Sequence, residues 1–160
     1  MPLAVQLSPD KAVFQVLLVL HLIAAFVAFA PGFVWPAISS AFRRKGQSIG
    51  PDLSAVAAKT TLRVQGTAAV LTGLLGIGLV STSKIGDADE AYYGFDQTWI
   101  QIALLLWFVL LGVVYGLLYP ALRKAASGDE SSESRVPMFT GIVHLLLVVL
   151  IIDMVWKPGL

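Results

Sequence analysis

Residues 12–38 read AVFQVLLVLHLIAAFVAFAPGFVWPAI, a run without a charged side chain that Lys11 and Arg43-Arg44-Lys45 bracket. A bilayer core of about 30 Å takes roughly 20 apolar residues as a helix, so the run is long enough to cross one. Three further runs follow, Val64 to Val80, Trp99 to Leu122 and Val136 to Trp156, the last with one acid, Asp153, near its far end. Single strands cannot pair their backbone groups in lipid, so each run is read as a helix. The expectation is an all-α, integral membrane four-helix bundle, one domain over residues 1–160 with spans at about 12–38, 64–80, 99–122 and 136–156.

Composition agrees, because 57% apolar against 13% charged residues leaves too little charge to cover a soluble surface. The absence of cysteine excludes disulfides, thiolate metal sites and cysteine nucleophiles. A net charge of +1 argues against nucleic acid as a partner. Ala28-Phe29-Ala30 imitates a signal-peptide cleavage site, but Asp10 sits beside Lys11 and the apolar run continues past Trp35, so the run is read as a retained span.

Orientation follows from the cations. Arg43, Arg44, Lys45, Lys59 and Arg63 lie between the first two spans, and Arg123, Lys124 and Arg135 between the last two. By the positive-inside rule both connections face the cytoplasm and both termini lie outside. Ser127–Ser134 is small, polar and acidic and is read as a flexible linker, whereas Leu53–Ala58 is read as a segment lying along the membrane surface. Asp87, Asp89, Glu90 and Asp96 with Tyr92, Tyr93, Phe95 and Trp99 form either an outer lid or a solvated loop with an aromatic belt.

Gly32-Phe33-Val34-Trp35-Pro36-Ala37 and Gly116-Leu117-Leu118-Tyr119-Pro120-Ala121 are alike, and each is read as the end of its span. A duplicated hairpin and the common pairing of an interfacial aromatic with a helix-ending proline both explain the match. Gly66, Ala69, Gly73 and Gly76 in the second span, and the GxxxG of Gly112 and Gly116 in the third, read as close-contact faces.

The chain has two histidines, His21 and His144, each well inside a span. Histidine in lipid is costly and faces the protein interior, which makes both candidate functional groups. Measured from Ala12 and Trp156 at ~1.5 Å per residue, they lie about 14 Å and 18 Å deep. Two level imidazoles in a four-helix bundle suit the axial positions of one haem b iron. Ala24, Ala25, Ala28 and Gly32 would make room for the macrocycle, and the hydroxyl of Thr140 would orient His144. Lys11, Lys84 and Lys157 are the few outer cations available to its propionates. Two other readings stand beside this one. Each histidine bonds across helices to Thr67, Thr72, Gln101 or Tyr115 as polar glue, or one of them titrates in a proton or metal relay.

Competing chemistries have less support. Ser39, Ser40 and Ser81–Ser83 lie at span ends without a histidine base, and Gly73–Gly78 lacks the strand that precedes a nucleotide loop. Met138 and Met154 are too few for a copper path, and two histidines without a carboxylate make a poor zinc site. Arg63 and Gln65 suit either a lipid phosphate or a propionate, or simple snorkelling. Trp107 and Tyr115 are read either as a route for electrons or as filling.

Leu18-Val19-Leu20-His21-Leu22-Ile23-Ala24-Ala25 resembles the first span of bacterial four-helix proteins of the copper-resistance protein D and HemJ-like superfamily. Met154-Val155-Trp156-Lys157-Pro158 is similar to the ending of an uncharacterised family of predicted integral membrane proteins in that group. The resemblance implies a small inner-membrane protein with His21 as a haem or metal ligand. The Trp-x-Gly expected two turns after the histidine is replaced by Ala28-Phe29-Ala30-Pro31-Gly32, and the intramembrane lysine of the oxidases has no counterpart. The resemblance therefore implies the fold more than oxidase or copper-uptake activity. The expected functions are electron transfer or redox service to a membrane partner, a cofactor-free membrane subunit or assembly factor, or a small transporter with a titrating histidine.

Overall fold

A computed structural model describes residues 9–83 and 92–159. Among them, four rods carry the chain. The first is α1, Pro9–Arg44. The second runs from α2, Gly50–Thr60, through a π-helical segment, Thr61–Gly66, into α3, Thr67–Thr82. The third joins α4, Thr98–Val113, to α5, Tyr119–Ala126, through a second π-helical segment, Val114–Leu118. The fourth is α6, Glu130–Trp156. All four are long and apolar enough to cross a membrane.

The rods alternate in direction. One end of the bundle gathers the start of α1, the α3–α4 connection and the end of α6, and is called the terminal end below. The other, the loop end, carries the two short connections. Each expected span lies inside a longer helix. Pro36 and Pro120 do not end theirs, since α1 continues to Arg44 and α5 to Ala126. Pro36 lacks the N–H that would bond to the carbonyl of Gly32, but flanking turns hold the rod together. Pro120 follows closely on the second π-helical segment inside a continuous rod, and the flanking turns hold that rod together as well.

Two expectations about the connections are corrected. Glu130–Ser134 is the first turn of α6 and not a linker. Asp129 caps it, accepting from the backbone N–H groups of Ser131 and Ser132 at 3.0 and 3.4 Å and from both hydroxyls at 2.7 Å. The Ser131 and Ser132 donors hold its carboxyl down at about 2, Ser132 contributing most. Leu53–Ala58 belongs to α2, which buries Ala57 and Ala58 against α5 as a continuation of the hairpin. The backbone N–H of Ile49 donates to Glu133 Oε1 at 3.2 Å and ties this end together.

The core runs along the middle as Ala28, Ala57, Ala68 and Ala69 against Leu110, Val114, Leu118, Leu122, Val143 and Leu147. Small residues on α1 to α3 meet larger ones on the other rods, which lets the helices close up. The outer surface is apolar too. Phe26 is 75% exposed, Leu145 64% and Phe108 63%. A soluble domain does not display such side chains all round.

The glycine faces divide. A Cβ on Gly66 would stand 2.6 Å from the Tyr115 hydroxyl, and one on Gly73 would overlap the Trp107 indole. These glycines admit large side chains from the third rod. Gly112 and Gly116 have nothing within 4 Å of such a Cβ, so the GxxxG faces outward and is not a contact within the bundle.

Candidate functional site

A cavity of about 560 Å³ occupies the terminal half of the bundle. His21 and Ala28 of α1, Thr72 and Gly76 of α3, Trp107 of α4 and Ile151 of α6 are among its walls, which are overwhelmingly apolar. It exists because the facing positions on α1 and α3 are alanine and glycine. Trp107 is laid across Gly73, and its Nε1–H donates to the Ala69 carbonyl at 2.8 Å. That carbonyl serves both its own helix and the indole, fixing one wall.

His21 is oriented from α3. Its Nδ1 lies 2.8 Å from the Thr72 carbonyl, an acceptor only, so Nδ1 carries the proton and donates. The Cε1–Nδ1 edge rests on Gly76, where a Cβ would come within 3.3 Å of Cε1. Nε2 has no hydrogen-bond partner among the described residues. Nε2 therefore offers a lone pair, and a backbone carbonyl holding the other nitrogen is the usual support of a metal-ligating histidine. The Thr72 hydroxyl is not used, because it donates to Ala68 in its own helix.

At its terminal end the cavity is lined by Tyr93, Phe95, Trp99 and Lys157. Ser83, just past α3, accepts the Tyr93 N–H at its Oγ (3.0 Å), and its carbonyl accepts the Tyr92 N–H (2.9 Å). Tyr93 stands edge-on to Trp99, with 5.3 Å between ring centroids. Lys157 closes over both, its Nζ 2.5 Å from the Tyr93 hydroxyl and 4.6 Å from that ring's centroid. Asp87, Asp89, Glu90 and Lys84 lie outside the described residues.

His144 is elsewhere. Its ring meets Phe33 edge-on at 4.6 Å, and a Cβ on Gly32 would stand 2.9 Å from its Cε1 and Nε2. Gly32 lies eleven residues beyond His21 on α1, about 16 Å along the axis. The two imidazoles thus belong to different levels of the bundle, and they do not fit opposite faces of one iron. Of the other residues expected beside them, Ala25 and Ala28 line the cavity with His21. Thr140 does not, and its hydroxyl donates to the Val136 carbonyl at 2.9 Å without a bond to His144.

Thr140 instead lines a small cleft of about 10 Å³ with Gly32, Thr61 and Gln65. Thr61 and Gln65 are 1% and 2% exposed, and Gln65 Nε2 and His144 Nε2 are buried without hydrogen-bond partners among the described residues. Sequence reasoning grouped Gln65 with the lipid-facing Arg63. Both lie in the π-helical segment, two residues apart and so on opposite faces, Arg63 exposed and Gln65 buried. Such segments recur at functional positions, but no residue type announces one. Asp153 is likewise buried, with Oδ2 lacking a hydrogen-bond partner among the described residues, and it does not line the cavity.

No family model, no curated protein and no solved structure matches this chain.

Proposed function

We propose that the chain is a small four-span protein of a bacterial cytoplasmic membrane, termini outside, that holds one haem b in the terminal-half cavity through His21 and serves electron transfer to a membrane partner. One observation carries the reading. His21, held at Nδ1 by the Thr72 carbonyl, lines an apolar chamber of about 560 Å³. The cofactor would supply the one-electron chemistry. The protein would supply the axial imidazole, a small-residue wall at Ala25 and Ala28, and the indole of Trp107 opposite. The resemblance of the first span to the copper-resistance and HemJ-like group supports the same residue. The orientation rests on the cations, with Arg43, Arg44, Arg123 and Lys124 in the last turns of α1 and α5 at the loop end.

A reduced-minus-oxidised absorption spectrum of detergent-purified protein from haem-supplied cells tests this. The expected result is a haem signal that is lost in His21→Ala and kept in His144→Ala. A colourless wild type, or a signal that survives His21→Ala, would overturn it. A second reading, a cofactor-free membrane subunit, is favoured by Gly112 and Gly116, whose open outward face suits a close partner helix. Copurification of a partner that is lost in Gly116→Leu, from a protein without haem, would favour it.

A further inference from the structure

Lys157 combines three features that a lysine anchoring a helix end in the interface does not need. It is the only non-glycine residue with positive φ among the described residues, at φ 45° and ψ 62°, and it is followed by Pro158. Left-handed backbone at the end of a helix is ordinarily left to glycine, so a side chain kept there marks a position where strain is tolerated for what the side chain does. Second, the turn sends the side chain back over the bundle. A snorkelling lysine extends toward water. This one is half-buried, bonded to the Tyr93 hydroxyl and lying over the Tyr93 and Trp99 rings at 4.6 and 5.6 Å from their centroids. Third, it lines the cavity, and it is the only formally charged side chain among the described lining residues.

The cavity is thus apolar along its length, with His21 in its wall and a cation at its terminal end. We propose that Lys157 is an anion subsite of this chamber, and that the ligand is an amphiphile with an apolar body and a carboxylate at its outer end. The proposal builds on the reading of the cavity as a ligand chamber. Its chemistry is shared by the propionates of a haem and by the head of a fatty acid. Tyr93 holds the ammonium in place through its hydroxyl oxygen, and the other N–H donors, which bond no side chain among the described residues, are there for the carboxylate. An ammonium shielded from water by two rings binds an anion more strongly than one in bulk solvent.

The test uses the whole chain in nanodiscs of zwitterionic lipid, titrated with haem b and with its dimethyl ester, and separately with palmitate and hexadecanol. Haem is read by absorption and the acyl probes by tryptophan fluorescence. The variants are Lys157→Gln and Lys157→Gly, the second removing the cation while easing the backbone, with the exposed Lys45→Gln at the loop end as control. The expected result is that the carboxylate form of at least one pair binds wild type about tenfold more tightly than its neutral partner, with the gap closed in both Lys157 variants and kept in the control. Preference within the haem pair assigns the carboxylate to propionates. Preference within the acyl pair, with no haem bound, sinks the haem reading but upholds the subsite. Equal binding of acid and neutral forms, a gap that survives Lys157→Gly, or no binding of any probe would overturn the proposal.

Discussion

Gly73→Ala adds one methyl group where the structure leaves no room. The new Cβ would overlap the six-membered edge of the Trp107 indole and its Nε1. Backbone cannot retreat, because Gly73 lies in the middle of α3 and that helix packs on α1 along its length. The indole must therefore swing away, which breaks the 2.8 Å bond from Nε1 to the Ala69 carbonyl. Overfilling a packed site costs about 1–3 kcal/mol. The lost hydrogen bond adds about 1 kcal/mol. Alanine returns about 1 kcal/mol of helix propensity over glycine. The net is a loss of roughly 1–3 kcal/mol. Gly112→Ala carries the same propensity gain with nothing within 4 Å of its Cβ, so it should leave stability unchanged or raised. Unfolding in mixed micelles of increasing SDS fraction, followed by circular dichroism, measures both. The effect should also vanish when Trp107→Ala is already present, since the two residues are then uncoupled. Equal midpoints for Gly73→Ala and Gly112→Ala, or an undiminished loss in the Trp107→Ala background, would refute the close approach of the two rods.

Three further outcomes follow from the same contacts. Gly32→Ala places a Cβ 2.9 Å from His144 and should cost about 1–3 kcal/mol, most of it recovered in the double variant with His144→Ala; a full loss in both backgrounds would remove that contact. Gln65→Met replaces a buried amide, whose Nε2 has no partner among the described residues, by an apolar chain of similar size, so stability should stay within about 1 kcal/mol or rise, and a fall beyond about 2 kcal/mol would mean the amide is bonded. The Asp129 cap gives a pH dependence of stated sign. Its carboxyl is depressed from 3.8 to about 2 in the folded chain, so its contribution is complete above 3.8 and is lost as pH falls through about 2. An NMR titration of the Asp129 carboxyl carbon with a midpoint at or above 3.8 would show that Ser132 and Ser131 do not hold it.

The four rods could be read from the sequence because a long uncharged run is a one-dimensional signal and needs no knowledge of neighbours. The levels of His21 and His144 depend on how neighbouring rods are staggered, and that is a property of packing. Counting depth from Ala12 and Trp156 assumed that these residues share a plane. The contact of His144 with Gly32 shows that they do not, since Ala12 lies 20 residues from Gly32 but Trp156 only 12 from His144, which puts Ala12 about 12 Å farther along the bundle. Charges near helix ends mark where a rod begins to meet polar surroundings, but a 36-residue helix is much longer than a bilayer core and its first charge fixes no level. Glycine and alanine spacing had the same limit. It identified Gly66, Gly73 and Gly76 correctly as close contacts, and by the same rule misplaced Gly112 and Gly116, because the rule does not say which face meets a neighbour. The strongest site feature, the His21 imidazole held by a backbone carbonyl, was half legible. The histidine was evident, but its partner is a main-chain atom that every residue possesses, so only the packed helices could single out Thr72.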